Sequence, residues 1–121
     1  GALPFDDESF DGAWNIGVME HFRPDELVSV LREIYRVLKP TGVAVFFWPT
    51  GFGPVTNIAL VYDTVHAIFG SKKTLFPKAY VLYWAKGQIS AFAEKAGFKD
   101  CVVHFSARDL FQNAVVIARK I

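Results

Sequence analysis

The chain has 121 residues, 52% of them hydrophobic and 21% charged, with a formal net charge of +1. That length fits one domain, and that balance excludes a disordered chain and offers no basic stripe for nucleic acid. The single cysteine, Cys101, excludes an internal disulfide and fits a reducing, cytoplasmic compartment. No run of about 18 apolar residues is present, so neither a spanning helix nor a membrane partner is expected, and no signal peptide is visible.

The chain opens on Gly1 and Ala2, and residues 3–9 already form a polar approach to a strand, with Pro4 and the acids Asp6, Asp7 and Glu8. A segment upstream of this start is therefore expected. The three acids lack a defined ligand set and read as a solvated turn rather than a metal site. Residues 10–18 form a short, largely apolar run of the kind a buried parallel strand shows. Pro24, Asp25 and Glu26 suit a helix start, since proline is tolerated in the first turn and the dipole favours acids there. Leu27, Leu31, Ile34 and Leu38 then follow at helical spacing, flanked by Val28 and Tyr35, and leave Arg32, Glu33 and Arg36 for the wet side.

Lys39, Pro40, Thr41 and Gly42 are expected to end that helix in a turn. Residues 43–48, apolar on both faces, predict a second buried strand. Strand, helix and strand at this spacing form a βαβ unit with parallel pairing and a right-handed crossover. Residues 50–84 interrupt the pattern as a cap-like insertion. Within it, Asn57 is expected to cap an almost wholly apolar helix over residues 58–69, closed by Gly70. Ile89, Phe92, Ala93 and Ala96 mark another amphipathic helix, stopped by Gly97. Residues 101–106 and 114–118 read as a final pair of strands, joined closely enough for an antiparallel hairpin.

Three motifs occur in order along this framework: Leu3, Pro4, Phe5 with Ser9, Phe10, Asp11; then Gly17, Val18, Met19, Glu20, His21, Phe22; then residues 31–42, LREIYRVLKPTG, with Ala96, Gly97, Phe98 further on. Together they resemble the small-molecule class I S-adenosylmethionine-dependent methyltransferases, whose patterns here are LPF…FD, VLEH, RVLKPGG and AGF. Thr41 stands where the family more often has glycine. The resemblance covers the chain outside residues 50–84. It implies an α/β fold, the C-terminal half of a Rossmann-like sheet, in which the whole chain is a single partial domain. The parallel fourth and fifth strands are followed by a terminal antiparallel hairpin.

The same resemblance implies S-adenosylmethionine as cofactor and a small-molecule methyl acceptor as partner. Asn15, Ile16 and Gly17 would line the methionyl portion with Glu20 and His21 nearby, because open α/β sheets bind ligands beyond the carboxyl ends of their strands. Ala2 and Leu3 correspond to the stretch that borders the adenine. The glycine-rich loop that cradles the cofactor has no counterpart in this sequence. Gly51, Phe52 and Gly53 do not replace it, since Pro54 follows at once and no third glycine or distant acid completes the pattern. The chain alone is therefore expected to be inactive and to bind the cofactor weakly or not at all.

In the insertion, Phe52, Tyr62, Tyr80 and Trp84 are candidates to line an apolar acceptor pocket, with packing onto the sheet as the alternative. No general base is assigned, since methyl transfer from a sulfonium needs chiefly alignment. His66 and His104 are read as satisfied core residues, Cys101 as a structural thiol, and no metal is expected. The alternative reading of the chain is a non-catalytic association module. The sheet edge that half a fold leaves bare would then pair in a homodimer or with a separate N-terminal half.

Overall fold

The computed structural model describes residues 2–73, 79, 81–84, 87–105, 108 and 112–121. Strand β1 (Phe10–Ile16) leads through a short 3₁₀ turn (Met19–His21) into helix α1 (Pro24–Val37). Strand β2 (Leu38–Pro49) and helix α2 (Pro54–Ile68) follow, then helix α3 (Gln88–Ala96) and strands β3 (Asp100–Phe105) and β4 (Asn113–Arg119). The strands form one sheet in the order β1-β2-β4-β3. β1 and β2 run parallel, as the βαβ reading requires, and β3 and β4 pair antiparallel as expected. β4 is inserted between β2 and β3, antiparallel to both.

The alternation along β2 builds the core. Ala44, Phe46 and Trp48 point to one face and are buried; Val45 and Phe47, pointing the other way, are only half-buried. The antiparallel register sets Ala44, Phe46 and Trp48 opposite Ala118, Val116 and Ala114, also buried, so small and large residues interlock across the pair. Leu27 and Leu31 of α1 and Ile89, Ala93 and Ala96 of α3 close over that face. The opposite face stays largely open, with Trp14 73% and Ile16 59% exposed on β1. β1 pairs only with β2 among the described residues, which leaves its other edge without a partner strand there.

Local differences from the expected boundaries have physical causes. β1 ends at Ile16 instead of residue 18, because Gly17 turns the chain with a φ of 66°. Residues 39–42 are not a free turn. β2 starts at Leu38, directly after the helix, and the register slips between Phe10 and Gly12 to absorb a bulge in which Thr41 has a φ of 66°. Glycine would take that conformation without strain. Helix α2 begins at Pro54 with Gly53 as its N-cap, four residues before the expected start. The side chain of Gln112 supplies the cap, its Oε1 accepting from the Val55 and Thr56 amides at 2.7 and 3.4 Å. Asn57 instead donates to the carbonyls of Phe52 and Gly53 from inside the first turn.

Arg36 and Glu33 do not simply face solvent. The Arg36 guanidinium donates to the carbonyls of Leu3 and Phe5 at 3.1 and 2.9 Å, to Asp7 at 2.6 Å and to both oxygens of Glu33. Glu33 in turn accepts from the Leu3 amide at 2.8 Å. Residues 3–9 are thereby clipped along the second half of α1, with the amides of Glu8 and Ser9 bonded to the carbonyls of Arg36 and Val37. The Arg36 hydrogen bond, then that of the Leu3 amide, holds the Glu33 carboxyl below its ordinary value of 4.5. A depressed folded-state value means the clip is complete above the ordinary value and weakens as pH falls through the lowered one. Hydrogen exchange should therefore show protection of the Glu8 and Ser9 amides falling on acidification below the ordinary carboxyl range, while the core amides of β2 stay protected. Glu33→Gln should remove that pH dependence.

Candidate functional site

The carboxyl ends of β1 and β2 lie side by side, since Ile16 is in register with Phe47. Beyond Ile16 the left-handed turn at Gly17 folds the 3₁₀ turn back, burying Met19 and Glu20. Glu20 is only 6% exposed, yet its Oε2 has no hydrogen-bond partner. The other oxygen, Oε1, lies 3.5 Å from Nε2 of His21. A side chain on Gly17 would place its Cβ 3.7 Å from that same Oε1. Asn15, in the last turn of the strand pleat, has a buried Oδ1 that is likewise without a partner. Two buried acceptors lacking donors at one end of a sheet are uncommon, because each costs about 1–3 kcal/mol.

The segment after the insertion docks beside this end. The Val81 amide donates to the Glu20 carbonyl at 3.2 Å, and Trp48 Nε1 donates to the Val81 carbonyl at 2.8 Å. Tyr83 forms a parallel bridge with Thr50 and is buried. Thr50 is fully buried and bonds through its amide and hydroxyl to the Gln112 carbonyl, while its own carbonyl accepts from the Thr56 hydroxyl. Thr50, Thr56 and Gln112 were not singled out in the sequence. Gln112 carried no signal, because its work depends on a helix start 56 positions away.

The sequence-derived candidates are thus only partly brought together. Asn15, Ile16, Gly17, Glu20 and His21 form one cluster, with Ile16 and Gly17 exposed. Ala2 and Leu3 lie elsewhere: Leu3 is bound to Glu33 and Arg36, and their segment enters the sheet at Phe10. Phe10 and Ile16 are six residues apart, about 20 Å of strand. Phe52 and Trp84 are exposed at the carboxyl end of β2, Phe52 against the ring of Phe105 and Trp84 over Gly51. Tyr62 is half-buried on α2 and packs on His66, their rings 4.3 Å apart. Tyr80 lies outside the described residues. Two hollows of about 280 and 430 Å³ are lined by Thr41, Val43 and Asp100 and by Phe22, Asp25 and Glu26, so neither involves these candidates.

Two histidine expectations are corrected. His104 is exposed on β3, because its register with Val115 and Phe47 sets it on the open face of the sheet, away from α1 and α3. His66 is half-buried and belongs to no core, since α2 has no buried residue. Cys101 is half-buried, and burial pushes its pKa up, against the opposing hydrogen bond with Ser90. Burial likewise raises Tyr83. No group of three or more metal-ligating side chains occurs among the described residues.

Comparison with known proteins gives these observations a family. Residues 1–46 match the family described as a methyltransferase domain. Over 49 residues the chain is 49% identical to 24-methylenesterol C-methyltransferase 2 of Arabidopsis thaliana, a match covering 40% of this chain and 13% of that protein. The fold is shared with a possible histamine N-methyltransferase from Thermotoga maritima, at a TM-score of 0.68 and 18% identity over 98% of this chain and 60% of that one. Human N-acetylserotonin methyltransferase, solved with S-adenosylmethionine, gives a TM-score of 0.64 at 16% identity, with 99% of this chain covering 31% of that one. The chain thus spans less than two thirds of each of these relatives. Residues 1–46 thus match the methyltransferase-domain family by sequence, and nearly the whole chain shares the fold of S-adenosylmethionine-dependent methyltransferases.

Proposed function

We propose that the protein containing this chain transfers the methyl group of S-adenosylmethionine to a small, apolar acceptor. The observation that carries this is the methyltransferase-domain match over residues 1–46, which spans β1, α1 and most of β2. The sterol acted on by the plant relative, as its name states, makes a sterol-like molecule the first acceptor to test. An association module without catalysis is not favoured by these likenesses.

The residues at the end of β1 fit the cofactor's methionyl portion. That portion ends in an ammonium rich in N–H donors, and Asn15 Oδ1 and Glu20 Oε2 are acceptors without one. Ile16 and Gly17 would present backbone to it, and His21 would flank it through Glu20. When bound, the cofactor supplies an electrophilic methyl on a positively charged sulfur. The chain's part is to hold that group in line with the acceptor and to keep an acid near the positive charge. Phe52, Tyr62, Tyr80 and Trp84 are proposed to shape the acceptor's side, and Ala2 and Leu3 to approach the adenine. The work is assigned to the cytoplasm.

Calorimetric titration tests the division between this segment and the rest of its protein. The 121-residue chain is expected to bind S-adenosylhomocysteine with a dissociation constant weaker than about 1 mM, a free energy of only about −4 kcal/mol. Tight one-site binding would show that the glycine-rich loop is dispensable. A longer protein carrying both loop and segment that failed to bind would overturn the methyltransferase reading itself.

A further inference from the structure

Helix α2 has no buried residue, although its composition is that of a core helix. Ile58, Val61, Val65 and Ile68 are 61%, 63%, 46% and 74% exposed. Their spacing of three, four and three residues sets them in one stripe along the helix, and Phe69, 83% exposed, continues it. The opposite side carries Leu60, 64% exposed, and the single acid of the helix, Asp63, half-buried. Just past the stripe come Lys72 and Lys73, both exposed. The helix is anchored at its start by Gln112 and Thr56, at the same end of the sheet as residues 15–21.

We propose that α2 docks on the surface of an anionic lipid bilayer, with the stripe in the acyl boundary and Lys72 and Lys73 among the headgroups. Charge decides for this occupant: an uncharged apolar stripe runs into two cations, with no acid within the stripe to repel phosphate. A second copy of the helix would bring the same cations and no acid to meet them. The stripe is also short for a dimer seam, ten residue steps from Ile58 to Ile68 or about 15 Å along the helix axis, where stable interfaces bury roughly 1,200 Å² or more. This is a helix lying on a membrane and not one crossing it, since no helix among the described residues is long and apolar enough to span. The inference departs from the sequence-based expectation of no membrane partner. It rests on the proposed function only for its purpose, which is to turn the site toward an acceptor dissolved in lipid.

Vesicle flotation tests it without any methyl transfer. The chain is expected to float with phosphatidylcholine vesicles containing roughly a third phosphatidylglycerol, more weakly with phosphatidylcholine alone, and less as salt rises. Val61→Asp with Val65→Asp should abolish flotation, and Lys72→Ala with Lys73→Ala should weaken it roughly tenfold or more. Both pairs are exposed, and circular dichroism melts serve to verify that the fold is kept. Failure to float, or flotation unchanged in the aspartate pair, would overturn the proposal. So would light scattering that shows a lipid-free dimer made monomeric by the aspartate pair, which would assign the stripe to a second copy. Cofactor titration of the longer protein reads the methyltransferase proposal separately, so either can fail alone.

Discussion

Alanine in place of Trp48 is expected to destabilise the chain by about 3–5 kcal/mol, the cost of emptying a large aromatic site in a packed core. Trp48 is fully buried on the helix-covered face of β2, opposite Ala114. A small neighbour cannot expand to fill the space. The substitution also removes the indole donor from the Val81 carbonyl, and with it one of the ties between residues 81–83 and the sheet. A chain of this size should then melt on the order of 10–20 °C lower, and a marginally stable one would not fold at all. Trp48→Phe separates the two contributions. It keeps most of the volume and loses the hydrogen bond, so a loss of about 1–3 kcal/mol is expected. Urea unfolding of both variants measures this, and a change below about 1 kcal/mol for alanine would mean that residues 81–83 are not seated on Trp48.

Glu20→Gln is expected to act in the opposite sense, raising stability by about 1–2 kcal/mol. A carboxylate only 6% exposed, with one oxygen unpartnered, carries a desolvation cost that His21 at 3.5 Å offsets in part. The amide has the same shape, no charge, and a donor to offer where the carboxylate has none. Asn15 Oδ1, the other acceptor without a donor, lies at the same end of the sheet. In a longer protein that binds S-adenosylhomocysteine, the same variant should weaken binding about tenfold, the loss of one charged hydrogen bond. A group that costs the fold stability while serving a ligand is the usual signature of a functional residue. Thermal denaturation of the variant decides the first half: a lower melting temperature would show that the carboxylate is already served within the chain.

How much of this was legible beforehand follows from the range of each interaction. The period of 3.6 in α1 and α3 reports burial on one face. Leu27, Leu31 and Ile89 accordingly lie in the core as their spacing implies, whereas β2, apolar on both faces, is buried on only one. The stop of α3 at Gly97 was equally legible, because φ there is 117° and only glycine adopts that without strain. The cluster at the end of β1 followed from a general property of parallel sheets. Its orphaned acceptors did not, because satisfaction of a polar atom depends on every neighbour in space.

The failures share one cause. α2 looked like a buried helix, and its apolar residues are mostly exposed, since hydropathy reports what a segment can bury and not whether anything covers it. Arg36 looked like a surface residue, and it closes around the carbonyls of Leu3 and Phe5, more than thirty positions earlier. The sequence by itself determined the α/β class, the parallel βαβ unit and the terminal antiparallel pair, all of which rest on local periodicity or contiguous residues. Only the tertiary structure decided where α2 begins, what holds residues 3–9, which histidines are exposed and which acceptors at the end of β1 lack donors. Each of those depends on a partner distant in the chain, and backbone topology alone determines which distant groups meet.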